Sequence, residues 1–285
     1  MALPTAAPSR RGSASSPHPA VVFDRVALAF DDHVVLQDVS FEIPVGAMRI
    51  LLGPSGSGKS VILKLILGLL RPDAGTITVN GHRVDTMSEH DLLKMRSDIG
   101  MSFQENALFD SLTVAQNVAF RLMEERMPDE EIDARVAEVL GFVGLAEYAE
   151  RMPSQLSGGQ RRRVGIARGM ASKPSLMLFD DPITGLDPLI AMTVDDEIIK
   201  LRDLERVTSL LVTHQIRDAY YVATHEAVMR DGKVEIIDAD PARAAEFEFM
   251  LLHNGRIHVQ ASAAELFSSE DPFVKEYLHQ TLPPW

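Results

Sequence analysis

Short apolar runs rich in β-branched residues alternate with longer runs of helical periodicity from residue 21 onward. Apolar positions recur every two residues in a half-buried strand and about every 3.6 residues in a helix. The pattern predicts strands at residues 21–30, 49–52, 76–79, 99–103, 176–180, 209–213 and 226–230. It predicts helices at residues 59–70, 114–123, 130–143, 158–170, 191–206 and 215–223. Because strands and helices alternate, we expect an α/β fold with a parallel sheet covered by helices.

Two segments depart from this alternation. Residues from about 105 to 171 show helical periodicity without a strand pattern, which predicts a helical subdomain inserted in the sheet. Residues 1–20 are rich in Ala, Ser and Pro and lack an apolar central region, so the sequence favours a flexible tail over a secretory signal.

Composition narrows the class of protein. Hydrophobic residues make up 46% and charged residues 24% of the 285 residues, which is the balance of an ordinary globular protein and excludes disorder of the whole chain. The formal net charge of −13 repels phosphate backbones and so disfavours nucleic-acid binding. Cysteine is absent, which excludes disulfides, a thiolate nucleophile and Cys-bound zinc. The longest apolar stretch, residues 61–70, is much shorter than the roughly 20 residues that span a bilayer.

A glycine-rich segment between a predicted strand and a predicted helix fits the P-loop pattern GxxxxGK[ST]. Its residues are Gly53, Pro54, Ser55, Gly56, Ser57, Gly58, Lys59 and Ser60. Glycines let backbone N–H groups turn onto a phosphate, and the helix that follows presents its positive dipole end to the same anion. We expect Lys59 to reach the β and γ phosphates and the Ser60 hydroxyl to hold Mg²⁺.

A second acidic element follows another apolar strand. Residues 176–180 end in Asp180, and Asp181 comes next. A carboxylate at the C-terminal end of a buried parallel strand lies in the crevice where open α/β sheets bind ligands. Acidic residues also end many strands without a function, so only the combination with the P-loop points to Asp180 as a magnesium partner.

A third element reads Leu156, Ser157, Gly158, Gly159 and Gln160, the LSGGQ signature, and with it the chain resembles the ATP-binding cassette ATPases of ABC transporters. Ser157 can cap the helix that begins there, and the glycines allow close approach to a phosphate. The resemblance implies that two copies pair head to tail. Ser157 and Gly159 of one copy would then close over ATP held by Lys59 of the other.

The resemblance extends from residue 21 to about 234 and implies roles for four further residues. Phe30 matches the aromatic residue that stacks on adenine. Gln104, after strand 99–103, matches the glutamine that contacts magnesium and couples to the membrane subunits. Asp187 matches the D-loop residue at the interface with the opposite subunit, and His214 matches the switch histidine at the γ-phosphate.

The same resemblance implies the domain organisation. We expect a flexible tail at 1–20 and an ATPase domain at 21–235, built as a RecA-like P-loop NTPase core with an antiparallel β subdomain and the helical subdomain at about 105–171. Residues 236–285 then form a small C-terminal extension. Within the C-terminal region, Asp231-Gly232 and Asn254-Gly255 each predict a hairpin turn, the second being additional to the family pattern, and terminal helices follow.

One residue departs from the family pattern. The family usually has Glu directly after the magnesium Asp, where it polarises the attacking water, and this chain has Asp181. Asp is shorter by one C–C bond, roughly 1.5 Å of reach. Because a misplacement of about 1 Å can cost on the order of a hundredfold in rate, we expect slow but real ATP hydrolysis, with Asp181, His214 and Gln104 as the catalytic set.

A cassette of this kind must drive separate transmembrane permease subunits. Residues 103–118, with 61–70 and 152–156, resemble cassettes of Mla/Mce-type systems that move phospholipids between bacterial envelope membranes. That resemblance implies lipid transport, a lipid-carrying Mce-type partner and a peripheral position at the cytoplasmic face of the inner membrane. The alternative is the ATPase of a polar amino-acid or other small-solute importer.

Two further classes of protein are weighed against these. A soluble ABC ATPase of translation or DNA repair usually carries two cassettes or basic surfaces, and the arginines at 161–163 are interpreted instead as the solvated or subunit-facing side of the signature helix. A P-loop kinase or GTPase is disfavoured by the signature and by His214.

Overall fold

The computed structural model describes residues 18–104 and 107–281. Most of the predicted tail at 1–20 lies outside the described residues, as do positions 105 and 106 at the start of the predicted helical subdomain. The strands in the described residues are β1 (Val21–Phe30), β2 (His33–Ile43), β3 (Met48–Leu52), β4 (Ala74–Val79), β5 (His82–Arg83), β6 (Ile99–Ser102), β7 (Leu176–Asp180), β8 (Thr208–Thr213), β9 (His225–Arg230), β10 (Lys233–Asp238), β11 (Glu248–His253) and β12 (Arg256–Ser262). The helices are α1 (Lys59–Ile66), α2 (Glu89–Ser97), α3 (Val114–Glu124), α4 (Asp129–Phe142), α5 (Gly158–Met170), α6 (Pro188–Leu204), α7 (Ile216–Thr224), α8 (Pro241–Ala244), α9 (Ala263–Phe267) and α10 (Pro272–Thr281).

The central sheet has the strand order β12-β11-β3-β8-β7-β6. The strands from β11 to β6 run parallel, and β12 pairs antiparallel with β11 at one edge. Nearly every residue of β3, β7 and β8 is buried, as expected for parallel strands that are covered on both faces. The carboxyl ends of these three strands lie side by side, at the edge where open parallel sheets bind ligands.

Alternate residues of the central strands face two separate apolar clusters. Ile50 and Phe179 join one cluster with residues of α5, α6 and α7. Leu51 and Leu178 join the other with residues of α1 and of the second sheet. Because successive side chains of a strand point to opposite faces, α1 and α5 lie on opposite faces of the central sheet.

The second sheet has the order β2-β1-β4-β5 and is antiparallel throughout. Phe23 and Phe41 stack within it, with ring centroids 4.5 Å apart. The sequence pattern does not predict β2, because its buried positions are irregularly spaced and register shifts interrupt its pairing with β1.

Between β6 and β7, the described residues 107–171 contain α3, α4, α5 and short turns but no strand. The buried Asn117 side chain on α3 holds the preceding loop. Its amide nitrogen donates to the carbonyls of Phe109 at 3.1 Å, Leu112 at 3.1 Å and Thr113 at 3.0 Å, and its oxygen accepts from the Phe109 N–H at 2.8 Å. The predicted α/β class, with an antiparallel β subdomain and an inserted helical part, is confirmed.

The chain after residue 235 contributes to the central sheet. Strand β11 pairs in parallel with β3, and its Phe249 and Met250 are fully buried. The two predicted hairpin turns connect β9 to β10 and β11 to β12, and all four turn residues have positive φ, as a type I′ turn requires. None of the helices in the described residues combines the length and apolar character needed to cross a bilayer.

Helix α1 ends at Ile66, earlier than the end predicted at residue 70. The cause is Gly68, whose φ of +63° lies in the left-handed region that terminates helices. A Cβ at this position would also lie 2.5 Å from Leu92 Cδ2. The apolar residues beyond Gly68 continue the pattern in sequence but not the helix.

We expect Gly68→Ala to lower the free energy of unfolding by about 1–2 kcal/mol, because alanine strains the left-handed backbone and crowds Leu92. Gly141→Ala in α4 is the matched control, since a Cβ there meets nothing within 4 Å and alanine favours a helix interior by about 0.5–1 kcal/mol. Thermal or urea unfolding measures both variants. Equal stability of the two variants would contradict this account of the helix end.

Candidate active site

The P-loop connects β3 to α1 and approaches its neighbours closely at two glycines. A Cβ on Gly53 would lie 2.6 Å from the carbonyl oxygen of Leu252 in β11. Gly58 caps α1 with a φ of +104°, and a Cβ there would press against Val35 and Leu36 of β2. The loop is thus shaped by both sheets, and its backbone conformation requires these glycines.

Lys59 lies across this loop. Its Nζ donates to the carbonyls of Gly53 at 2.8 Å and Pro54 at 2.9 Å, and only 6% of the residue is exposed. Burial lowers the pKa of the Lys59 ammonium, while the carboxylates of Asp181 and Asp180 oppose that change. The Lys59 ammonium thus places a positive charge beside the two carboxylates at this sheet edge, where a phosphate would be bound.

Ser60 and Asp180 come together although 120 residues separate them in the chain. The Ser60 hydroxyl donates to Asp180 Oδ1 at 3.1 Å. Burial raises the pKa of Asp180, with the bond from Ser60 acting against it. A hydroxyl and a carboxylate oxygen are ligands that suit Mg²⁺, which typically takes one or two protein ligands and completes its shell with water and phosphate. The described residues contain no group of three or more His, Asp and Glu side chains that could hold a metal ion.

Asp181 and His214 form the second pair at this edge. Asp181 Oδ1 accepts from the His214 backbone N–H at 3.2 Å and lies 2.9 Å from His214 Nδ1. The Asp181 N–H donates to the carbonyl of Val212 in β8 at 2.8 Å, and Asp181 adopts a left-handed φ of +43°. An ionised Asp181 accepts a hydrogen bond from Nδ1–H and so leaves the lone pair of the imidazole on Nε2.

Two further predicted residues are exposed. Gln104 follows β6, the strand next to β7, and is exposed. Phe30 is the last residue of β1 and is 46% exposed. The strand ends thus bring together Lys59, Ser60, Asp180, Asp181 and His214. The roles of Gln104 and Phe30 stay predictions, because neither side chain makes a contact with this group in the described residues.

The signature residues begin α5 with a capping box. The Ser157 hydroxyl accepts from the Gln160 N–H at 3.2 Å, and the Gln160 side-chain oxygen accepts from the Ser157 N–H at 2.8 Å. A Cβ on Gly158 would lie 3.2 Å from Leu186, and one on Gly159 would overlap Ile190. The signature is therefore packed against the segment of Asp187, whose carboxylate caps α6 by accepting from the Leu189 N–H at 3.0 Å.

The signature and the P-loop belong to helices on opposite faces of the central sheet. Helix α5 packs on α3, α4, α6 and β6, and its residues Val164 and Ile166 lie in one apolar cluster, whereas α1 packs in the other.

Sequence reasoning was wrong about one arginine and missed two contacts. Arg162 is buried, not solvated, and donates to the carbonyls of Phe103 at 2.8 Å and Thr184 at 3.2 Å, so it joins the Gln104 segment to the segment before Asp187. The approach of Leu252 to Gly53 and the pairing of Asp181 with His214 are also unpredicted, because they depend on strands distant in sequence.

The comparisons with known proteins agree on one family. The ABC transporter family profile matches residues 36–184. The sulfate/thiosulfate import ATP-binding protein CysA of Mycobacterium tuberculosis is 40% identical over 238 residues, which cover 81% of this chain and 66% of CysA. The methionine import ATP-binding protein MetN of Corynebacterium jeikeium is 41% identical over 202 residues, or 70% of this chain and 54% of MetN. The chain thus spans slightly less than two thirds of the mycobacterial relative.

Among solved structures, a dimeric post-hydrolysis state of the ATP-binding cassette MJ0796, bound to ADP and Pi, superposes with a TM-score of 0.70. It is 28% identical, and the match covers 85% of this chain and 98% of that one. This chain combines that fold with a P-loop, with consecutive acidic residues at the end of β7, and with a capped signature helix. The chain therefore belongs to the ABC transporter family, and it has the fold of the ATP-binding cassette.

Proposed function

We propose that this chain binds ATP with Mg²⁺ at the carboxyl ends of β3, β7 and β8 and hydrolyses it to drive a separate membrane-spanning permease. The observation that carries the proposal is the meeting of two pairs at this edge, Ser60 with Asp180 and Asp181 with His214, beside the Lys59 ammonium. Each pair joins residues that are far apart in the chain and supplies a different part of phosphoryl transfer: ion binding and positioning of water.

The P-loop is the part of this edge that would bind the phosphates of ATP. The N–H groups of the loop and the positive end of α1 face the phosphates, and Lys59 adds a buried positive charge. Ser60 and Asp180 are the residues that would hold Mg²⁺, which when bound supplies positive charge to the terminal phosphates.

Positioning of the attacking water falls to Asp181 and His214. The Asp181 carboxylate keeps the proton of the imidazole on Nδ1, so that Nε2 is the atom that can accept a hydrogen bond. Asp181 also stands at the sequence position where the family usually has glutamate. Its shorter reach is the reason that we propose slow turnover.

We propose that two copies form the working unit. The signature helix α5 packs on the other face of the sheet from α1, and in the head-to-tail arrangement that the resemblance implies, a second copy would place its Ser157 and Gly159 over the nucleotide. Beside Asp187 and the signature, Leu189 is 77% exposed and Met192 38% exposed, and a second copy would cover this apolar surface. The relative MJ0796 is described as dimeric.

A groove between the Gln104 segment and α3 is the surface that we assign to the permease. It is a cavity of about 440 Å³, and Phe103, Phe109 and Phe120 in its lining are each at least 36% exposed. This apolar floor suits the apolar face of an amphipathic helix. This partner would hold the cassette at the cytoplasmic face of a bacterial inner membrane.

The named relatives favour a small-solute importer as the complex that this cassette serves, since CysA and MetN are described as import proteins for sulfate or thiosulfate and for methionine. Lipid transport with an Mce-type partner is the second candidate. It is supported by the resemblance of residues 103–118, which include part of the groove lining.

We expect Lys59→Ala to reduce ATP hydrolysis by about 10²–10³-fold, the cost of losing one charge-stabilising group in a phosphate site. Phosphate release and nucleotide binding measure the effect. Lys64→Ala is the matched control, because Lys64 lies on the same helix but is exposed, and it should keep nearly full activity. An unchanged rate in Lys59→Ala would refute the assignment of the P-loop.

Two substitutions at Asp181 test separately the charge and the length of its side chain. Asp181→Asn should lower kcat by at least about 100-fold, because the amide no longer fixes the proton on Nδ1 of His214. Asp181→Glu should turn over faster than the parent, because the longer side chain restores about 1.5 Å of reach. Single-turnover phosphate release and ATP affinity are measured for both in the assembled complex. If the Glu variant is no faster, the explanation by short reach fails.

We expect the tagged full chain to copurify from its native membranes with a membrane-spanning protein, and Phe120→Glu to lose that protein because it places a charge on the groove floor. Met229→Glu, at an exposed apolar residue of β9, should retain it. Mass spectrometry of the captured subunits distinguishes the two substrate classes: a solute-importer permease supports the first, and a lipid-carrying partner supports the second. Retention by Phe120→Glu would reject the groove.

A further inference from the structure

The C-terminal helix α10 reaches the nucleotide edge through Tyr277. Val274, Tyr277 and Leu278 are its buried residues, and Tyr277 is only 4% exposed. The Tyr277 hydroxyl donates to the backbone carbonyl of His214 at 3.2 Å. A residue 63 positions away in the chain therefore contacts the backbone of the histidine that faces the proposed reaction.

The peptide groups of His214 are held from two directions. Its N–H donates to Asp181 Oδ1 at 3.2 Å, and its carbonyl accepts from Tyr277 at 3.2 Å. The imidazole contacts the same Asp181 oxygen at 2.9 Å. Asp181 thus ties the ring and the N–H of His214 to the end of β7, and Tyr277 ties the carbonyl of the same residue to α10.

The surroundings keep the Tyr277 hydroxyl protonated. Burial raises its pKa to about 12, with the Gly53 amide opposing and the Asp181 carboxylate adding to the rise. The hydroxyl thus remains a donor throughout the physiological pH range.

Helix α10 is held in place by contacts outside the nucleotide edge. Asp271 accepts from the N–H groups of Phe273 at 2.9 Å and Val274 at 3.0 Å, and its other oxygen lies 3.1 Å from His258 Nε2 in β12. The Phe273 ring stacks on His253 in β11, with 3.6 Å between ring centroids. The β11–β12 hairpin therefore sets the position of Tyr277 independently of His214.

We propose that Tyr277 is a positioning residue for ATP hydrolysis: its hydroxyl ties the His214 backbone to α10 and so keeps the imidazole aimed at the reacting phosphate. The inference rests on the proposed function. It gives the segment after residue 235 a role in turnover, in addition to its strand in the central sheet. A phenylalanine would fill the same space but would leave the His214 carbonyl without this donor.

The test removes that hydroxyl alone. Tyr277→Phe in the full chain should lower kcat by about three- to tenfold, the effect of one hydrogen bond of ordinary strength, with KM for ATP unchanged. Tyr221→Phe is the matched control, because its hydroxyl donates to Asp196 at 2.9 Å, outside the proposed site, and its kcat should equal that of the parent. A parent-like kcat in Tyr277→Phe overturns the proposal.

A double-mutant cycle separates positioning from general structure. In a His214→Ala background the imidazole is gone, so Tyr277→Phe should cause no further loss of single-turnover rate. An equal fold-loss in both backgrounds means that Tyr277 acts independently of His214 and overturns the inference.

Hydrogen exchange supplies a readout that does not depend on hydrolysis. Tyr277→Phe should increase deuterium uptake in the peptide that contains His214 and Gln215, whereas Tyr221→Phe should leave it unchanged. If the parent chain neither binds nor hydrolyses ATP, the proposed function fails. The exchange result still shows whether the Tyr277 hydroxyl holds the backbone of His214. Unchanged exchange in Tyr277→Phe overturns the inference.

Discussion

The register of three parallel strands determines where the chemistry of this molecule can occur. Leu52 of β3 pairs with Thr213 of β8, and Asp180 of β7 pairs with Val212 of the same strand. The residues that follow these strands are thereby forced to one edge of the sheet. A slip of one residue in the pairing of β7 with β8 would turn the side chains to opposite faces and would separate Asp181 from His214. The same slip between β3 and β8 would displace the P-loop from both of them.

The same edge depends on a strand that comes late in the chain. Strand β11 pairs with the free side of β3, so the strand that leads into the P-loop is internal and its backbone groups are paired on both sides. The carbonyl of Leu252 then lies so close to Gly53 that only glycine fits. The P-loop conformation is therefore supported by the C-terminal segment as well as by its own sequence.

Much of this site could be predicted because its signals are local. The P-loop glycines, the apolar run before Asp180 and the Ser157 cap are each encoded within a few residues, so a short stretch of sequence determines them. The pairing of β11 with β3, the contact of Tyr277 with His214 and the burial of Arg162 depend on residues distant in the chain. Nothing in the spacing of residue 277 distinguishes it from an ordinary apolar helix position, and its role follows only from the folded contacts.

The proposed substrate class rests on other observations than the proposed reaction does. The similarity to CysA, MetN and MJ0796 extends over 81%, 70% and 85% of this chain, so it describes the cassette as a whole and not one contact surface. A partner can be selected only by residues that contact it. In this chain the exposed Phe103, Phe109 and Phe120 of the groove are the residues proposed for that contact, and they lie in or beside the segment that resembles lipid-system cassettes. Overall similarity therefore favours the small-solute class without testing the surface that is proposed to bind the permease.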